Sequence, residues 1–83
     1  MRVKATTEVD QYIGARIRYF RRARRMSQSA LASLLALTYQ QIQKYEVAKC
    51  RVPATRLYRI AQLLDVPVDA FFPYAKAPLA ITP

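Results

Sequence analysis

Histidine is missing from all 83 residues, which removes both the commonest general base and the commonest metal ligand. Cysteine occurs once, as Cys50, so one chain can form neither an internal disulfide nor a thiolate metal cluster. With no histidine to act as its base, Cys50 reads as an ordinary surface cysteine and not as a nucleophile. No catalytic residue, cofactor or metal is therefore expected. Gly14 is the only glycine. Hairpins draw on residues that tolerate positive φ, so the composition favours helices on short connections over a sheet. No apolar run approaches the roughly 20 residues of a membrane span, and the first residues lack a signal-peptide core. A cytoplasmic chain is expected. Acidic residues are scarce as well: 5 stand against 14 lysines and arginines, a formal charge of +9. That imbalance predicts attraction to a polyanion, nucleic acid or an anionic membrane surface, without choosing between them.

What is present suffices for one small domain. Apolar residues make up 53% of the chain, enough for a packed core and too many for a disordered segment. Residues 1–7 read as a flexible N-terminal arm, and Thr7 at its end can cap a helix over residues 8–24. Glu8 and Asp10 suit the positive end of that helix. Val9, Ile13, Ile17 and Phe20 recur at helical spacing and form its apolar stripe, with Arg18, Arg22 and Arg25 opposite. Ser27 caps a short second helix that ends near Leu35, with Met26 and Leu31 as a hydrophobic staple.

The third start is the clearest. Thr38 and Gln41 have capping-box spacing, and Leu37 and Ile42 form the matching staple. Around this helix Ile42 and Tyr45 point one way, while Gln40, Gln43, Lys44 and Val47 point the other. A loop with Lys49 and Arg51 follows. Pro53 then reads as a first-turn proline, and Leu57, Ile60, Ala61 and Leu64 carry a fourth helix. After Pro67, residues 69–72 can form a last turn that plugs Phe71 or Phe72 into the core. The prolines at 73, 78 and 83 make residues 73–83 a flexible tail.

Two short helices joined by a tight turn, the second capped and polar outward, have the layout of a helix-turn-helix. A helix fits the major groove, where the amides of Gln40 and Gln43 can bond an adenine edge at two points. Lys44 can donate to guanine or phosphate. Tyr39 can pack on a thymine methyl or bond a phosphate.

The stretch SQSALASLLALTYQQIQKYEVAKCRVPATRLYRIAQLLDVPVDAFF resembles the Cro/repressor-type (XRE, lambda-repressor-like) helix-turn-helix family. The S-Q opening, Leu31-Ala32, Leu35, Leu37, Thr38, Ile42, Glu46 and the Ile60-Ala61, Leu64, Val66, Asp69 block carry the likeness, which spans residues 8–72. It implies an all-α, five-helix lambda-repressor-like domain. It further implies DNA contacts at Gln28, Thr38, Tyr39, Gln40, Gln43, Lys44, Lys49 and Arg51. Arg21 and Glu46 are implied to be a structural ion pair. Ala36 and Ala48 stand where the family usually has glycine; at positive φ each would cost on the order of 1 kcal/mol.

The expected function is sequence-specific binding of double-stranded DNA by a transcriptional regulator, a repressor acting as a homodimer on a palindromic site. Two other readings stay open. One is an antitoxin-like interaction module whose tail binds an unidentified protein partner. The other, that the first helix is a basic amphipathic membrane binder, is set against the expectation of no membrane partner.

Overall fold

Three hydroxyl side chains start three of the helices. The structure is a computed structural model describing residues 6–73. Thr7 accepts from Asp10 N to open α1 (Glu8–Ala23), and Asp10 returns a bond to Thr7 N, completing a capping box. Ser27 accepts from Ala30 N to open α2 (Gln28–Leu34), and Thr38 accepts from Gln41 N to open α3 (Tyr39–Glu46). The expected box at Thr38 is only half built: Gln41 returns no bond to the cap, and the reciprocal pair stands at Thr7 and Asp10 instead. α4 (Ala54–Leu64) has no side-chain cap, and Pro53 occupies the N-cap position itself, one residue earlier than expected. A 3-10 turn (Val68–Phe71) closes the described chain. The family-based expectation of five helices is thus corrected, among the described residues, to four α-helices and one 3-10 turn, because only five residues separate Pro67 at its N-cap from Pro73, which cannot continue a helix.

The helices also end alike. Met26 N bonds Arg21 O, Leu37 N bonds Ala32 O, Lys49 N bonds Lys44 O and Val66 N bonds Ala61 O, at 2.8–3.0 Å. Each such six-to-one bond forces the preceding residue into the left-handed region, the Schellman arrangement. Arg25, Ala36, Ala48 and Asp65 accordingly have φ of 55–59°. Four sharp helix ends are built without a glycine.

The glycine serves packing instead. A Cβ on Gly14 would overlap the Tyr45 carbonyl oxygen and lie 2.7 Å from that of Glu46. Only a hydrogen fits there, so α1 crosses directly over the end of α3. Ile17, Leu31, Ile42, Ile60, Leu64 and Phe71 are fully buried around this crossing. Each contributes about 1.5–3 kcal/mol by leaving water. Phe71, not Phe72, is the plug, and its ring meets Phe20 edge-on at 5.3 Å. Val9 departs from the expected stripe: it lies in the first turn of α1 and is exposed. Cys50, expected at the surface, is half-buried there and packs partly against the core. No helix among the described residues is long and apolar enough to cross a membrane.

Candidate nucleic-acid interface

α3 divides cleanly by face. Ile42 and Tyr45 are buried, and the Tyr45 hydroxyl accepts from Arg56 Nη1 at 3.0 Å, which ties α3 to α4. Gln40, Gln43 and Lys44 are exposed, flanked by Tyr39 at 48% exposure and Val47 at 64%. Thr38 is exposed at the cap, its hydroxyl engaged by Gln41 N. The structure thus brings Thr38, Tyr39, Gln40, Gln43 and Lys44 onto one short helix and its cap.

The other expected contacts lie around it, and Gln28 and Arg51 have side-chain partners of their own. Gln28 opens α2, and its Nε2 donates to Glu46 Oε1 at 3.0 Å. Lys49 is exposed just beyond α3. Arg51 donates from Nε to Asp10 Oδ2 at 3.2 Å, which tethers the loop after α3 to the start of α1. Burial pushes the Asp10 carboxyl up. The Thr7 N–H and hydroxyl, at 2.8 and 3.0 Å, and the Arg51 guanidinium outweigh that and hold its pKa below the ordinary 3.8.

Glu46, the only acid on α2 or α3, faces no open solvent. Arg21 Nε and Nη2 grip its two carboxylate oxygens at 2.7 and 3.0 Å, and Arg21 Nη1 donates to the Met26 carbonyl at 2.8 Å. Both residues are buried, at 8% and 7% exposure. The pair locks α1 to α3 and neutralises the one carboxylate beside the polar face.

The arginines of α1 sort themselves by partner. Arg16 lies over the rings of Tyr19 and Phe20 at 4.8 and 4.7 Å. Arg21 holds Glu46, and Arg24 reaches Asp65 at 3.5 Å. Arg18 and Arg22 line a groove of about 510 Å³ with Ser27, Gln28, Gln43 and Val47. Sequence reasoning placed both opposite the apolar stripe of the first helix but left them outside the expected contacts, since the helical period alone does not show that α3 lies beside them. The Arg51–Asp10 tether was equally hidden, joining residues 41 positions apart.

A short helix, a turn over residues 35–38 and a second helix with a polar outer face define a helix-turn-helix module. That is a class built to bind DNA. The Helix-turn-helix family model matches residues 17–71. An "Uncharacterized HTH-type transcriptional regulator" of Sinorhizobium medicae is 48% identical over 69 residues, 83% of this chain and 50% of the relative. An "Uncharacterized transcriptional regulator in ATPase CF(0) region" of Rhodospirillum rubrum is 47% identical over 64 residues, 77% of this chain and 59% of the relative. The chain belongs to the helix-turn-helix family, of the Cro/repressor type, and spans about half the length of these relatives.

Among solved structures, the DNA-binding domain of BldD from S. venezulae superposes with a TM-score of 0.72 at 23% identity. The match covers 81% of this chain and all of that one, and it shows the shared fold. The hydroxypropylphosphonic acid epoxidase of S. wedmorenis matches at TM-score 0.73 and 26% identity, over 86% of this chain but 36% of the enzyme. The same helical unit thus occurs inside an enzyme chain, so function has to be argued from the face of α3 and not from the fold.

Proposed function

We propose that this chain is a sequence-specific, duplex-DNA-binding transcriptional regulator that lays α3 in the major groove. The observation that carries this reading is the split of α3, with Ile42 and Tyr45 locked inside and Gln40, Gln43 and Lys44 outside. A helix held so rigidly presents its side chains at fixed spacing to base edges. Gln40 and Gln43 read adenine edges; Lys44 bonds guanine or phosphate; Tyr39 packs on a thymine methyl. Thr38, at the cap, sits at the depth of the backbone. Gln28, Lys49 and Arg51 hold phosphates on either side and set the register of α3.

The charge supports the same partner. Glu46 is neutralised by Arg21, and no other acid lies on α2 or α3 to repel a phosphate. The membrane reading of α1 loses its footing, since Ile13 and Ile17 are committed to the core. The protein-partner reading rests on the tail, which beyond Pro73 lies outside the described residues, as do residues 1–5 of the expected arm.

The regulator is proposed to act intracellularly as a homodimer and a repressor, with half-sites about 34 Å apart or a multiple of that. Selection from random duplexes tests the reading. A two-fold symmetric consensus is expected; no enrichment of any sequence would overturn it.

A further inference from the structure

The outer side of α1 carries two cations without a visible purpose in the fold. Arg18 and Arg22 are both exposed, and neither makes an ion pair or a side-chain hydrogen bond among the described residues. They stand four positions apart, so they face the same way and repel each other. No acid relieves that repulsion: the neighbouring Glu46 is already taken by Arg21 and Gln28. What the two arginines share is a groove of about 510 Å³, whose other walls include Gln28 and the outward-facing Gln43 and Val47 of α3.

We infer that Arg18 and Arg22 form a phosphate clamp that extends the DNA interface from α3 onto α1. The inference rests on the proposed docking of α3 in the major groove. With Gln43 turned toward bases, the strand bordering that groove runs past the opposite wall of the same hollow, where the two guanidinium groups stand. A guanidinium suits this task because its planar fork meets two phosphate oxygens at once. A phosphodiester between the pair would replace a like-charge repulsion with two charge-assisted contacts. Arg16 and Arg24 stand outside that groove, one stacked on aromatic rings and the other turned to Asp65. The clamp contributes affinity and register and reads no bases.

The test is the salt dependence of binding by the full chain to its selected duplex and to a random one. Arg18→Gln and Arg22→Gln are each expected to lower the slope of log K against log salt by about 0.9, on both duplexes equally. The double variant should lose about twice that, with the ratio of specific to random affinity unchanged. Arg59→Gln, at an exposed position of α4 that does not line the groove, removes the same charge and should leave the slope nearly intact. Because both side chains are exposed and each substitution relieves their mutual repulsion, melting without DNA should not fall, so a failure to fold is separable. Slopes unchanged in both variants, or lowered equally by Arg59→Gln, would overturn the clamp. So would a loss confined to the selected duplex, which would make these residues base readers. If the wild-type chain binds no duplex, the proposed function falls with it; if it binds and only the variants behave like wild type, the clamp alone falls.

Discussion

Ala36 and Ala48 hold φ of 58° and 59°, where a Cβ crowds the following carbonyl at a cost of about 1–2 kcal/mol. They are strained in the same way but not equally replaceable. Ala36 is exposed, so Ala36→Gly removes the strain and gives up little packing. A gain of about 1 kcal/mol is expected, seen as a rise in melting temperature of about 4–8 °C. Ala48 is buried, and its methyl group contributes to packing that glycine would lose. Ala48→Gly should therefore stabilise less than Ala36→Gly in the same melts, and a larger gain would contradict the burial argument. The Arg21–Glu46 pair works in the other direction. Glu46→Ala leaves a buried guanidinium without its carboxylate, and about 3–5 kcal/mol of stability should disappear. Denaturant unfolding without DNA measures that loss, and a variant as stable as the wild type would show the pair to be dispensable.

At the scale of elements, the crossing of α1 over α3 depends on one hydrogen atom. Gly14→Ala drives a methyl group into the backbone of Tyr45 and Glu46, neither of which can swing aside. A loss of about 1–3 kcal/mol or more is expected from overpacking, although alanine is the better helix former. Thermal melting decides between the two effects. The α1 capping box adds a pH dependence. The Asp10 pKa is lowered in the folded state, so its contribution is fully present above the unfolded value near 3.8. It is lost as pH falls through the lower folded value. Melting temperature should therefore decline below about pH 4 more steeply in the wild type than in Asp10→Asn.

Most of these elements were legible in the chain: Thr7, Ser27 and Thr38 mark starts, and the apolar spacing of Leu57, Ile60, Ala61 and Leu64 marks a buried face. The use of Gly14 was not, because a glycine inside a helical pattern reveals nothing of what crosses it. The half-built box at Thr38 shows the same limit, since spacing permits a bond that the folded Gln41 does not make.

For the molecule as a whole, what matters is where the charge is and what it is doing. A formal charge of +9 predicts a polyanionic partner but no face. Folding supplies the face by stacking Arg16 on aromatic rings, burying Arg21 against Glu46 and turning Arg24 to Asp65 at the surface, which leaves Arg18 and Arg22 beside α3. The outward set on α3 was legible from its cap and its period, which place Gln40, Gln43, Lys44 and Val47 on one face with Tyr39 beside them, whereas Thr38 was marked as a contact only by the family resemblance. The partners of Gln28 and Arg51 could not, because both bonds join segments far apart in sequence. Sequence-specific function requires that the exposed amides of α3 distinguish one base sequence from another. The most direct measurement is the affinity of Gln40→Ala for the selected duplex and for a random one at the same salt. A loss of about 1–3 kcal/mol on the selected duplex, with random binding unchanged, is the predicted result. Equal losses on both duplexes, or none on either, would contradict it.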